Sequence, residues 1–148
     1  MEKAARRAVA KFPKGEGHWT RRQASVLLRA VEDMFHRADV DALVNGFTAD
    51  CVFRFAEQPE RRGRPALRKF FSARLARQKN YRLKKTLLAL EDNVLTNVWE
   101  GAWEDAVTGK NMAGRGLEVW RMRDGMIATW DAAFSVWETG APRHSPIM

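Results

Sequence analysis

The hydrophobic period of this chain changes once, near residue 80. Ahead of that point apolar residues return every three or four positions, the spacing of a helix face. Behind it they alternate, the spacing of a strand. The order is helices, one short strand, a helix and then a four-strand meander. Such segregation predicts an α+β domain with helices on one face of a curved, mostly antiparallel sheet.

Local signals place the elements. Thr20-Arg21-Arg22-Gln23 has the form of a capping box, with Trp19 just ahead of it. Ala24, Leu27, Leu28, Val31, Met34, Phe35 and Ala38 then mark an amphipathic helix over 20–38. Asp39 caps a second, short helix through Phe47, with Val40, Leu43, Val44 and Phe47 inward. Residues 51–55, CVFRF, predict a strand, and 56–63, AEQPERRG, a loop. Pro65 stands where a first-turn proline belongs, and Leu67, Phe70, Phe71 and Leu75 carry a third helix to about Lys79. Segments 80–90, 93–104, 112–123 and 126–138 predict strands separated by turn residues. Asp124-Gly125 is the strongest two-residue hairpin signal among them.

Composition narrows the class. A chain of 148 residues fits one domain with a real core, and 45% hydrophobic with 30% charged residues is an ordinary globular balance. No apolar run approaches the roughly 18 residues of a membrane helix. Cys51 is the only cysteine, so neither an intrachain disulfide nor a thiolate metal cluster is available. His18, His36 and His144 are far apart, and no metal site is expected from them. Of the net charge of +8, most sits in residues 1–22, which carry seven Lys/Arg and two Glu. The stretch lacks the apolar segment of a secretory signal and reads as a solvated basic tail; an Arg-rich transit-type peptide is the other reading. The expected organisation is a basic flexible leader over 1–19, a single domain over 20–140 and a tail over 141–148, in a cytoplasmic protein.

Four stretches, VEDMFHRADVDALVNGFTADC, GRPALRKFFSARLARQKNYRLKKTLLAL, EDNVLTNVWEGAWED and GLEVWRMRDGMIATWDAAF, resemble the nuclear-transport-factor-2-like (SnoaL-like) superfamily, and within it a group of small proteins of unassigned function. Together they cover most of residues 20–135. The resemblance implies a cone-shaped fold with a cavity between helices and sheet, and homodimers formed through the sheet. It says little of activity, because the fold hosts isomerases, cyclases, dehydratases, epoxide hydrolases and binding modules alike. One departure is informative. Limonene epoxide hydrolases of this fold carry a catalytic Asp in a WRDYFD-like last strand. Here that strand reads TWDAAFS, with Ala132 at the matching position and Asp131 one residue earlier. A shift of one turns a strand side chain to the other face, so epoxide hydrolysis does not carry over.

The hairpin points to candidate chemistry. If Asp124-Gly125 is a two-residue turn, Arg123 opposes Met126, and counting back places Met122 across from Ile127, Trp120 across from Thr129 and Glu118 across from Asp131. Opposed residues share a face, with Cβ atoms about 4.5–5.5 Å apart. Two carboxylates on a dry, Trp-bearing face cannot both ionise cheaply, and one becomes an acid beside a base. Glu118 and Asp131 are therefore the candidate catalytic pair. A Lys or Arg that neutralises them makes the cluster structural instead, and a bulge at Gly125 would move Asp131 off Glu118.

Arg54, Lys85 and Asn97 are candidate ligand-binding groups: a cation or amide that orients an anionic ligand, or the counter-ion of Glu118. Lys85 shares parity with Tyr81, Leu83 and Leu87, which aims it at the interior; Arg82 reads as an exposed strand residue. Trp99, Trp103 and Trp120 are candidate walls of an aromatic cavity, or else core and interface. Residues 61–85 hold eleven Lys/Arg and no acid. The helical part interleaves them with a Leu/Phe stripe, as a solvated outer face does, and no nucleic-acid recognition motif accompanies them. His36 suits the end of the first helix, and Cys51 reads as a small buried residue.

The sequence thus predicts a homodimeric small-molecule-binding protein for an apolar or weakly anionic ligand, without cofactor, specific nucleic acid or membrane. It is either an acid/base enzyme of the isomerase, cyclase or dehydratase type or a non-catalytic ligand-binding or interaction module. Unpaired carboxylates on a dry face favour the enzyme. A carboxylate already bridged to Arg54 or Lys85 favours the module.

Overall fold

The computed structural model describes residues 12–142. Thr20 caps α1 (Arg21–His36) through the full capping box with Gln23, and Ala24, Leu27, Leu28, Val31 and Phe35 form its buried face. Asp39 accepts from Ala42 N–H to cap α2 (Val40–Asn45). The second helix ends earlier than its apolar spacing predicts. Phe47 opens β1 (Phe47–Phe55) and stacks on Trp130, with ring centroids 5.5 Å apart. The expected loop after it contains a two-residue strand, β2 (Arg61–Arg62). Gly63, at φ 84°, turns the chain into α3 (Arg64–Arg77), whose Leu67, Phe71 and Leu75 face the core. The meander follows as β3 (Gln78–Glu91), β4 (Val94–Asp105), β5 (Asn111–Arg123) and β6 (Met126–Glu138).

The six strands form one unclosed sheet in the order β2-β1-β6-β5-β4-β3. Every neighbouring pair is antiparallel except β1 with β6. The helices pack on its concave face, over a core of α1, α3 and inward strand residues. Side chains of α1 serve the outer strand β3. Leu83 N–H donates to His36 Nε2 at 2.9 Å, and Lys85 N–H donates to Glu32 Oε1 at 2.6 Å. His36 therefore does more than suit a helix end: it satisfies a strand amide that has no strand partner.

The turn between β5 and β6 is tight, with Asp124 and Gly125 both at positive φ, 53° and 73°. The pairing then departs from the count made on the sequence. Met122 opposes Ile127, but Arg121 opposes Thr129, so Ala128 is an extra residue on β6. This bulge lies three residues beyond Gly125. It has a packing cause: Ile127 and Trp130 are both buried, at 2% and 4% exposure, and an odd spacing of three brings both inward only if one residue is added between them.

The described part of the expected leader is not free. Phe12 and Trp19 pack with centroids 4.7 Å apart, Gly15 N–H donates to Asp124 Oδ1 at 2.7 Å, and Trp19 N–H donates to Asp92 O at 2.9 Å. The chain from Phe12 thus braces the ends of two hairpins. The rest of the leader, and the tail beyond residue 142, lie outside the described residues.

Candidate functional site

The bulge separates the two acids of the expected catalytic pair. Glu118 opposes Ala132, and Asp131 opposes Val119. Glu118 is buried on the concave face, while Asp131 is exposed on the convex one beside Arg54 of β1. Arg54 is likewise turned outward, with Glu60 3.7 Å away, and it approaches no ligand space on the concave side. One extra residue in β6 inverts the face of everything beyond it and takes Asp131 away from Glu118, while Arg54 on β1 faces outward by its alternation with the buried Phe53 and Phe55.

The partner of Glu118 is Lys85. Lys85 stands on β3 opposite Trp99 of β4, and Glu118 stands on β5 opposite Asn97 of β4, so the lysine crosses β4 diagonally to bond Glu118 Oε1. Both side chains are 2% exposed. The Lys85 ammonium lies 5.2 Å from the Trp120 ring centroid and 5.1 Å from that of Trp130, close enough for cation–π attraction. Burial pulls the Lys85 pKa below its ordinary value, and the carboxylate of Glu118 opposes that pull. Asn97 is fully buried against the pair, and among the described residues neither of its amide atoms has a hydrogen-bond partner. The indole N–H groups of Trp120 and Trp130 are in the same position.

Space beside this cluster is scarce. The pocket lined by Lys85, Glu118, Trp99, Trp130, Tyr81 and Arg74 measures about 10 Å³, room for roughly one water. Much of it is filled by the Trp99 indole, which lies over β5 where that strand has no side chains. A Cβ on Gly116 would stand 2.5 Å from Trp99 Nε1, and one on Gly114 would stand 2.7 Å from the ring. The expected interior cavity is thus packed with the chain's own aromatic and charged groups.

The larger space lies just outside. A cleft of about 710 Å³ opens between α3 and the ends of β4 and β6. Phe70 and Ala73 of α3 face Trp103, Phe134 and Val136 across it, with Arg61, Lys69, Arg74 and Arg77 around them. Arg74 and Phe134 line both the cleft and the inner pocket and form the partition between them. The Arg74 guanidinium sits 5.9 Å from the ring centroids of Trp99 and Phe134, and its Nε donates to Gln78 Oε1 at 3.2 Å.

Of the candidate residues, Glu118, Lys85, Asn97, Trp99 and Trp120 therefore meet on the concave face. Trp103 stands in the cleft, and Asp131 and Arg54 are on the other side of the sheet. Arg74, Arg61 and Phe134 were missed. Their signal was present: Ala66, Phe70, Ala73, Arg74 and Arg77 recur at helical spacing as a second stripe, beside the buried one of Leu67, Phe71 and Leu75. The basic run masked it, because a cation in that stripe reads as solvated. Among the described residues no three His, Cys, Asp or Glu side chains gather as metal ligands. Among the described residues no helix is long and apolar enough to cross a membrane.

Comparison with known proteins agrees with this architecture. The model of the SnoaL-like domain matches residues 28–130. Comparison with curated protein sequences gives no match. Among solved structures, the chain is similar to SalBIII, an epoxide hydrolase/cyclase-like enzyme of pyran ring formation in the polyether salinomycin. The TM-score is 0.66 at 17% identity, covering 79% of this chain and 98% of that one. A candidate isomerase from Bacillus subtilis gives 0.66 at 16% identity, over 73% and 83% of the two chains. An NTF2-like protein of unknown function from Exiguobacterium sp. 255-15 gives 0.63 at 17%, over 73% and 97%. Identities this low speak for the fold alone.

Proposed function

Because the chain belongs to the SnoaL-like domain family of the NTF2-like superfamily, we propose that it is a small-molecule-binding protein whose ligand sits in the cleft between α3 and the sheet, against Arg74 and Phe134. The observation that carries this reading is the contrast in space and charge between the two sides of that partition. Inside it, Glu118 is already neutralised by Lys85, and about 10 Å³ is left. Outside it stands a cleft of about 710 Å³, within the range of roughly 300–1,000 Å³ that small ligands occupy. Its walls are mostly apolar and aromatic, with a few cations to fix orientation.

A second reading follows from the same pair. The Lys85 ammonium donates to Glu118 Oε1, and passage of that proton along the bond leaves a free amine beside a carboxylic acid. The amine then removes a proton next to a ligand carbonyl and the acid returns one, which restores the ion pair and isomerises the ligand without a cofactor. The depressed Lys85 pKa favours this step. The packed pocket requires Arg74 and Phe134 to move first.

Fluorine-detected NMR screening of neutral and charged fragments tests the binding reading. Fragment binding should perturb the Trp103 indole and should vanish in Ala73→Trp, which fills the cleft from the exposed face of α3. Hits that bind Ala73→Trp as they bind the wild type, or no hits, would overturn it. For the second reading, the wild type should speed α-proton exchange of simple ketones in D₂O, and Glu118→Gln should slow it about 10²–10⁴-fold.

A further inference from the structure

The charge and the stacking of the cleft point to the class of its ligand. The cleft is lined by four cationic side chains, Arg61, Lys69, Arg74 and Arg77, and among the described residues its lining contains no acid. Asp105 stands nearby, but its carboxylate is spent. It accepts from Thr108 N–H, takes the guanidinium of Arg77 at 2.7 Å and accepts from Val107 N–H, and these bonds hold its pKa below the ordinary value. Arg77 is thereby neutralised, whereas Arg61 and Arg74 have no carboxylate against them among the described residues.

Both of these arginines are held by aromatic faces. The Arg61 guanidinium lies 5.0 Å from the Phe70 ring centroid and 5.2 Å from that of Phe53, and Arg74 lies 6.0 Å from Phe70. A guanidinium stacked on a ring is fixed in orientation; with Arg74 Nε given to Gln78, the paired terminal nitrogens are the edge that fits a carboxylate in two parallel bonds. Arg61 Nε is buried and has no hydrogen-bond partner among the described residues, which leaves the terminal nitrogens of that guanidinium to meet an anion. The apolar walls beside these cations include Phe134, Val136 and Trp103.

We infer that the cleft binds a small amphiphilic carboxylate, its head group taken by Arg61 and Arg74 and its apolar body laid against Phe70, Phe134 and Val136. This rests on the cleft being the ligand site and adds the chemical class. Arg74 is also the partition to Lys85 and Glu118, so a carboxylate drawn to it places the adjoining carbon of the ligand nearest the buried pair.

Isothermal titration of the full chain with octanoate and with octanol tests the inference. Octanoate should bind with one-to-one stoichiometry at least tenfold more tightly than octanol, and added salt should shrink the difference. Arg61→Gln and Arg74→Gln should each reduce the preference toward parity while octanol still binds, which shows that the apolar cleft survives the substitution. Arg121→Gln, on the convex face, should leave the preference intact. Equal affinity for octanol and octanoate in the wild type would overturn the inference and leave the cleft as a ligand site. So would a preference that persists in both arginine variants. Failure of both probes to bind would overturn the inference and the cleft assignment together.

Discussion

Lys85 and Glu118 meet across the full width of β4: one stands on β3, the other on β5, and each is 2% exposed at the side chain. The pair joins outer and inner strands of the sheet beneath α1, whose Glu32 also accepts from the Lys85 backbone N–H. Such an ion pair is costly to bury and costlier to break, because loss of one member strands the other charge in an apolar setting.

Single and double substitutions should therefore differ in sign. Lys85→Met or Glu118→Gln alone should each lower stability by about 3–5 kcal/mol, whereas Lys85→Met combined with Glu118→Leu should range from neutral to about 4 kcal/mol more stable than the wild type. Denaturant midpoints at neutral pH separate these cases. A single variant as stable as the wild type would show that the pair is wet.

The pH dependence follows from the direction of the Lys85 shift. Burial lowers its folded pKa below the unfolded value of 10.5, so between the two the unfolded chain binds more protons. Stability from this residue therefore rises with pH across that window. Tyr81 acts oppositely: burial raises its phenol, so its contribution is present below 10 and declines above it. The double variant at Lys85 and Glu118 keeps Tyr81. Its denaturant midpoint relative to the wild type should thus drift in the wild type's favour between pH 7 and pH 10. A constant difference would contradict the lowered pKa.

Asn97 should be a stability cost. Its amide is fully buried with neither polar atom bonded among the described residues, a penalty of about 1–3 kcal/mol for each such group. Asn97→Leu is close in volume and removes both groups, so it should raise the thermal midpoint by several degrees. A fall would mean that the amide holds water or ligand in the folded protein.

The convex face bears on assembly. Leu117 and Val119 are 51% and 39% exposed, side by side on β5 with Val98 and Ala133 across from Leu117. Trp130, Ala132 and Phe134, which alternation along a regular β6 would place with them, face the concave side instead. Multi-angle light scattering should find a dimer at micromolar concentration, built over this face and burying more than about 1,000 Å². Leu117→Asp with Val119→Asp should give a folded monomer. A monomeric wild type would remove the sheet face as the interface.

Much of the site was legible from residue order. Parity alone aimed Lys85 inward with Tyr81, Leu83 and Leu87; the lysine, Tyr81 and Leu83 are buried and Leu87 is half-buried. The error at Asp131 came from counting across the hairpin as if β6 were regular. The spacing of Ile127 and Trp130 held the correction, since two large apolar residues three apart ask for a bulge in a strand that buries one face. The basic run 61–85 hid Arg61 and Arg74, because the same guanidinium reads as solvated on a helix diagram and as a cleft wall once aromatic rings stand beside it.

Sequence alone determined the types of the three helices and the four meander strands, the capped start of α1, the tight Asp124-Gly125 turn and the inward set Tyr81, Leu83 and Lys85 of β3, because caps, turns and alternation are local and their free energies are paid within a few residues. Tertiary structure decided which acid meets which base. That choice depends on one bulge in β6, on a lysine long enough to cross β4, and on Gly114 and Gly116 leaving room for the Trp99 ring. The contacts of Lys85 with Glu118 and of Trp99 with Gly114 and Gly116 join positions 15 to 33 residues apart, and no local period encodes the energy of meeting there.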